Sequence, residues 1–197
     1  MVVLITGACA GSPSTDPTTP QVSIDRNAAP SSSVSDVSTT TSDDLVAEDV
    51  LPVGFELTTA TVTAADGTVC ELCLWLAESA EQRSRGLMGV TDLGRADGMA
   101  FLYPTPHITR FWMKNTVLAL SIAFYDPSGE FMESFDMEPC VTNDCLRYPT
   151  PFDFLIAVES NQGGLGGLGM LAGSTLELLD VPCRLGTTPN LTTPNSG

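Results

Sequence analysis

Basic side chains are scarce in this 197-residue chain: one lysine, one histidine and a handful of arginines stand against 24 acidic residues, for a net charge of −16. Such a balance repels nucleic-acid phosphates and anionic lipid headgroups, so nucleic acid is not expected as a partner. Acidity of this kind keeps a protein soluble at high salt or near a charged envelope and says nothing about fold. Apolar residues are scarce as well, but in one region. From Ala10 to Val50, nineteen of forty-one positions are Ser, Thr or Pro, seven are acidic and one is basic. That leaves too little apolar surface to offset chain entropy, and the segment 10–50 is expected to be a disordered tether, as is the tail 187–197. A recognisable reaction centre is also lacking. No nucleophile with its base and no metal-ligand spacing of known meaning stands anywhere, so no catalytic residue, metal or cofactor is assigned.

What remains suffices for one core. With 43% apolar side chains over its 197 residues the chain supports a single domain, placed at 51–186 and expected to be monomeric. Phe55 to Thr63 and Thr68 to Ala77 read as strands, and the Asp66-Gly67 pair between them is a hairpin signal. Ser79 and Gln82 form a capping box that opens a short helix ending near Gly86 or Gly89. Further strands are expected at Met99 to Tyr103, Ile108 to Met113, Val117 to Tyr125, Glu130 to Met137, Phe154 to Ser160 and Ser174 to Leu179, with a turn at Asp126 to Gly129. Short strands punctuated by Gly and Pro predict a mainly β domain, a compact β-sandwich or jelly-roll-like fold with one short helix.

The six cysteines speak for the compartment. Met1 to Ala8 is apolar and ends in small residues before Cys9, as at a bacterial lipoprotein cleavage site. This predicts a signal-peptide remnant over 1–9, a gene start further upstream, and a lipid anchor at Cys9 as the sole membrane attachment. A Ser/Thr/Pro spacer after a lipidated cysteine carries a domain off the membrane. Cys140 and Cys145 flank a short loop and are expected to bridge. Cys70 and Cys73 stand at i and i+3 on one strand and point to opposite faces, too far apart to bridge each other. One of them is expected to pair with Cys183, leaving one buried thiol. Zinc held by Cys70, Cys73, Cys140 and Cys145 is disfavoured because 66 residues separate the two pairs.

Between residues 83 and 124 the rare residues crowd together: Arg83, Arg85, Arg95, Met88, Met99, Met113, Trp112, the sole lysine Lys114 and the sole histidine His107. The order R-x-x-G-L-M, D-G-M-x-F, F-W-M-K-N-T, an apolar strand, D-x-x-G and Val-Glu over about residues 53–180 resembles the DUF192 family of bacteria and archaea. The resemblance implies a compact β-sandwich, often secreted or lipid-anchored, with no established biochemical function. Two departures stand out. The chain has Leu120-Ser121 where the family usually has Leu-Asp, and Gly173-Ser174 where it often has Gly-Asp, which removes carboxylates an acid/base site would use.

Three function classes follow. The leading one is an extracytoplasmic binding module for a small polar ligand or a cell-envelope component, with candidate site residues Arg85, Trp112, Lys114, Asn115, Thr116 and Glu159. Glu159, inside the apolar run from Leu155, needs a partner if it faces inward, and Arg85 or Lys114 is expected to supply one. The second class is an envelope-acting hydrolase, should Ser121 and His107 meet. The third is Cu(I) handling through the thioethers of Met88, Met99 and Met113, against which stands the ordinary use of methionine to fill gaps beside aromatic rings. The run Gly164-Leu-Gly-Gly-Leu-Gly169 satisfies G-x-G-x-x-G, but without a βαβ unit or a following acid it reads as a connection, at most a pocket rim. Lipidation at Cys9 is checked by intact-mass analysis of membrane fractions expressing the upstream-extended gene: a diacylglyceryl-modified Cys9 is expected, and a soluble product with unmodified Cys9 refutes it.

Overall fold

The computed structural model describes residues 50–183; the expectations for 1–9, 10–49 and 187–197, including Cys9, lie outside the described residues. Nine strands and one helix follow in order: β1 Glu56–Thr63, β2 Val69–Ala77, α1 Ala80–Arg85, β3 Gly98–His107, β4 Arg110–Trp112, β5 Leu120–Tyr125, β6 Phe131–Met137, β7 Arg147–Pro149, β8 Phe154–Asn161 and β9 Thr175–Leu179. Seven strands form one mixed sheet in the order β6-β5-β8-β3-β2-β1-β9, and β4 pairs with β7 as a separate ribbon. The domain is mainly β and sandwich-like.

The large sheet curls until its two edges touch. The residue before β6, Glu130, bridges to Thr175 of β9, Phe131 N–H donates to the Ser174 carbonyl (3.0 Å) and Leu176 N–H to the Gly129 carbonyl (2.8 Å). Gly129 makes that joint possible. At φ +82° a Cβ there would lie 2.4 Å from the Leu176 carbonyl oxygen, so any other residue would push the edges apart. The contact pairs the start of β6 with the start of β9 and covers that corner of both edge strands.

Curling gives the central strands two buried faces. Ala60, Val62, Leu72, Leu74, Ala100, Ala123 and Val158 fill the concave interior, and Leu165 and Met170 of the glycine-rich connection cap it. The glycine-rich run is the connection read from the sequence, and its apolar residues anchor it as a plug. On the convex face Met99, Phe101, Ile122 and Phe124 form a second apolar layer with Leu87, Val90, Leu93, Phe111 and Met113. Its cover follows from topology. β2 and β3 pair in parallel, which demands a crossover, and the crossover carries α1 and residues 86–97 over the convex face. The Ser79–Gln82 capping box starts α1 and Gly86 ends it.

Two strands depart from expectation. β3 runs to His107 through Pro104 and Pro106, which is tolerated because its register with β8 shifts between Leu102 and His107 and proline needs no ladder partner at such an irregularity. β7 was not foreseen: three residues, Arg147 to Pro149, carry no alternation to read, and only their pairing with Arg110 to Trp112 makes them a strand.

Disulfides join Cys140 to Cys145 and Cys73 to Cys183, with Cα–Cα distances of 5.8 and 5.4 Å. The expected unpaired core thiol is not found: no cysteine among the described residues is free. Cys73 rather than Cys70 meets Cys183 because Cys70 points into the concave interior. The bridges close loops of very different length, 110 and 5 residues. In the chain-entropy model the long one stabilises by about 5 kcal/mol and the short one by about 2 kcal/mol. A Cys73→Ser/Cys183→Ser variant is expected to lose clearly more stability in urea titration than Cys140→Ser/Cys145→Ser; equal losses would contradict this ordering.

Candidate functional site

A cavity of about 360 Å³ opens where the α1 end, the outer half of β3, β4 and β8 converge. Its floor is Glu159. In β8 this residue stands opposite Met99 of β3 and Ile122 of β5, so its side chain projects into the convex apolar layer rather than to solvent. Close packing of β8 against the start of β3 depends on Gly98, where a Cβ would come within 2.2 Å of the Glu159 carbonyl oxygen. The side chain is 5% exposed, and burial pushes its pKa up to about 8. The expected ion pair is corrected here: no guanidinium or ammonium among the described residues offsets that burial, because Arg85 lies over the Phe55 ring (4.6 Å) and Lys114 near the Trp112 ring (5.8 Å). The carboxyl makes no hydrogen bond among the described residues and opens on the cavity.

Arg83, Arg85 and Arg110 line the same cavity with His107. Arg83 is fixed in place: Nη1 donates to the carbonyls of Leu102 (2.9 Å) and Glu78, and the guanidinium lies 4.8 Å from the Tyr103 ring centre. Tyr103 stacks in turn on His107 at 5.0 Å, and desolvation raises the Tyr103 pKa. Phe101, Phe111 and Trp112 supply apolar wall. Trp112 is 36% exposed and carries the Arg147 guanidinium 4.4 Å from its ring centre, a stacking that holds the indole in place.

The candidates named from sequence divide. Arg85, Trp112, Thr116 and Glu159 line the cavity; Lys114 and Asn115 do not. Asn115 is architectural. It adopts φ +56°, and its carbonyl accepts from Gly89 N–H at 2.7 Å, which ties the loop after α1 to the turn that presents Thr116. Sequence reading passed over Arg83, Tyr103 and Arg110. For Arg110 a signal existed, since two-residue strand periodicity puts it on the same side as Trp112.

Neither constellation of the other two classes assembles. Ser121 and His107 pair with Ser160 and Phe154, at opposite ends of β8, roughly 20 Å apart at about 3.3 Å per residue. Ser121 instead donates to Asp136 Oδ1 (2.5 Å) and accepts from Gly163 N–H (2.9 Å). A carboxylate from the neighbouring strand thus stands beside Ser121. Met99 and Met113 are fully buried among aromatic rings, and only Met88 reaches the cavity. No group of three or more His, Cys, Asp or Glu side chains comes together among the described residues.

Comparison with known proteins places this geometry. The model of the family DUF192, described as "Uncharacterized ACR", matches residues 61–178, more than half the chain. The chain belongs to the DUF192 family. Among solved structures, it is similar to a protein of unknown function from Novosphingobium aromaticivorans DSM 12444, with 30% identity and a TM-score of 0.54 over 67% of this chain and 94% of that one. It is also similar to a Sinorhizobium meliloti 1021 protein named for a suggested role as a transcription regulator, with 24% identity and a TM-score of 0.56 over 64% of this chain and 97% of that one. The latter likeness speaks for the fold alone. None of the curated proteins compared matches the chain.

Glu159 makes the DUF192 domain's stability pH-dependent in an uncommon direction. Folding raises this carboxyl's pKa from 4.5 to about 8, so the folded state favours the proton. Its contribution is fully present below the ordinary value and is lost as pH rises through the folded one. Chemical denaturation at pH 5 and pH 9 is expected to show a larger fall for the wild type than for Glu159→Gln; parallel falls would show that Glu159 titrates normally.

Proposed function

We propose that this DUF192 domain is an extracytoplasmic binding module whose cavity takes a small polar ligand or a small group of a cell-envelope component. The observation that carries the reading is Glu159: a nine-tenths buried carboxyl with no hydrogen-bond partner among the described residues, facing a cavity of ligand size. Burial of an unpaired acid costs free energy, and a structural role would have supplied it with a hydrogen bond. Two disulfides support an oxidising compartment. No helix among the described residues is long and apolar enough to cross a membrane, and a lipid anchor at Cys9 would supply the attachment. A role in transcription, as named for the S. meliloti protein, is not adopted: a net charge of −16 opposes DNA, and the basic side chains surround a cavity rather than a groove-reading surface.

A thermal-shift screen of the full chain against metal ions, sugars and peptidoglycan fragments tests the reading. Trp112→Ala is expected to cost only about 1–2 kcal/mol, because the indole is partly exposed, rather than the roughly 3–5 kcal/mol of a core aromatic. The variant should keep a melting temperature within a few degrees of wild type and lose any ligand-induced shift. If Trp112→Ala and Glu159→Gln both destabilise strongly and no compound shifts the wild type, the residues are scaffold and the reading fails.

A further inference from the structure

Charge is distributed very unevenly around the cavity. Six basic residues fall within 50–183, and five gather here: Arg83, Arg85 and Arg110 on the lining, Arg147 and Lys114 on the flanking tryptophan. Glu159 is the only acidic residue on that lining, in a chain with 24. Arg83 spends donors on backbone carbonyls, but Arg85 and Arg110 donate no hydrogen bond to any described residue. Arg110 and Arg85, the latter with its guanidinium over the Phe55 ring, stand with unspent donors on a lining where Glu159 is the acidic residue, buried at its floor, and such donors match an oxyanion. The floor asks for something else. Glu159 stands between Met99 and Ile122 on the sheet and has no hydrogen-bond partner among the described residues, and a buried carboxyl that keeps its proton both donates and accepts, as a hydroxyl group does. The walls between are aromatic, suited to the C–H face of a sugar ring, and about 360 Å³ sits at the small end of ligand cavities, room for one ring rather than a chain.

Resting on the pocket reading above, we propose that the ligand is a small polyol bearing an oxyanion, a sugar acid or sugar phosphate, with its anionic group at Arg85 and Arg110 and its hydroxyl groups at Glu159. The net charge of the chain does not forbid this. Exposed charges more than about 8–10 Å away are largely screened at physiological salt, and the local guanidiniums set the potential in the cavity. A cationic ligand or a metal ion would face the same arginines and be repelled.

The test titrates the full chain with D-glucuronate, D-glucose 6-phosphate, D-glucose and acetate at 50 and 500 mM NaCl, following Trp112 by fluorescence and heteronuclear NMR. One of the two anionic sugars is expected to bind at least about tenfold more tightly than glucose or acetate and to weaken several-fold at the higher salt. Which of the two wins distinguishes carboxylate from phosphate. Arg85→Gln and Arg110→Gln should each weaken that binding about tenfold with the melting temperature unchanged, since neither side chain is buried. Glucose binding as tightly as both anionic sugars, with Glu159→Gln abolishing it, overturns the anion assignment and leaves the pocket reading standing. Arginine variants that bind like wild type also overturn it, as does the absence of binding by all four probes; in that last case the broader screen decides the pocket reading separately.

Discussion

β8 is buried on both faces over most of its length, and most of the molecule can be understood as the means of keeping it so. Its edges are paired by β3 and β5, its concave-facing residues Ile156 and Val158 meet the interior, and its convex side lies under the crossover and the ribbon. A strand in that position must be apolar on both faces, and Phe154 to Val158 complies. Glu159 is the exception, one residue further on, where the convex cover parts. The cavity is that parting, and the buried acid is its consequence.

Each covering element is tied down by a device that does not depend on the others. The crossover is fixed by the capping box of α1 and by the Trp75 indole N–H donating to the Leu93 carbonyl at 3.0 Å. Asp97 holds it to β2 at its far end, accepting from Cys73 N–H at 2.8 Å. The ribbon is held by Phe111, which meets Phe101, Phe124 and Phe154 ring to ring at 5.5–5.9 Å. The Cys140–Cys145 loop closes beside it. Arginines that end up at the cavity are carried by these covers, not by the sheet, which separates the part that makes the core from the part that sets the charge at the cavity.

The residues that close the sheet and those that line the cavity are therefore different sets. The sheet's closure through Gly129 and Leu176 and the Cys73–Cys183 bridge lie away from the cavity. Arg85 and Arg110 are exposed and take part in neither closure. Glu159 cannot be changed so freely, because it belongs to the central strand.

Strand positions, the β1–β2 hairpin, the capped helix and the crowding of rare residues between 83 and 124 were all legible in the sequence, because they rest on contacts between near neighbours: alternation, turn chemistry and a cap. Membership in a β-sandwich family could be read for the same reason, from spaced motifs. The sequence could not say that β2 and β3 run parallel, that β4 finds β7, or that the sheet's edges meet, since these pair residues far apart in the chain. Glu159 was recognisable as an acid in an apolar run, but its lack of an ion pair was decided only when Arg85 settled on Phe55 and Lys114 beside Trp112. Arg110 and Tyr103 entered the site through the packing of the ribbon and β3 over β8. A cavity is the space several distant segments leave between them, and local sequence holds no record of that space until long-range pairing fixes where each segment lies.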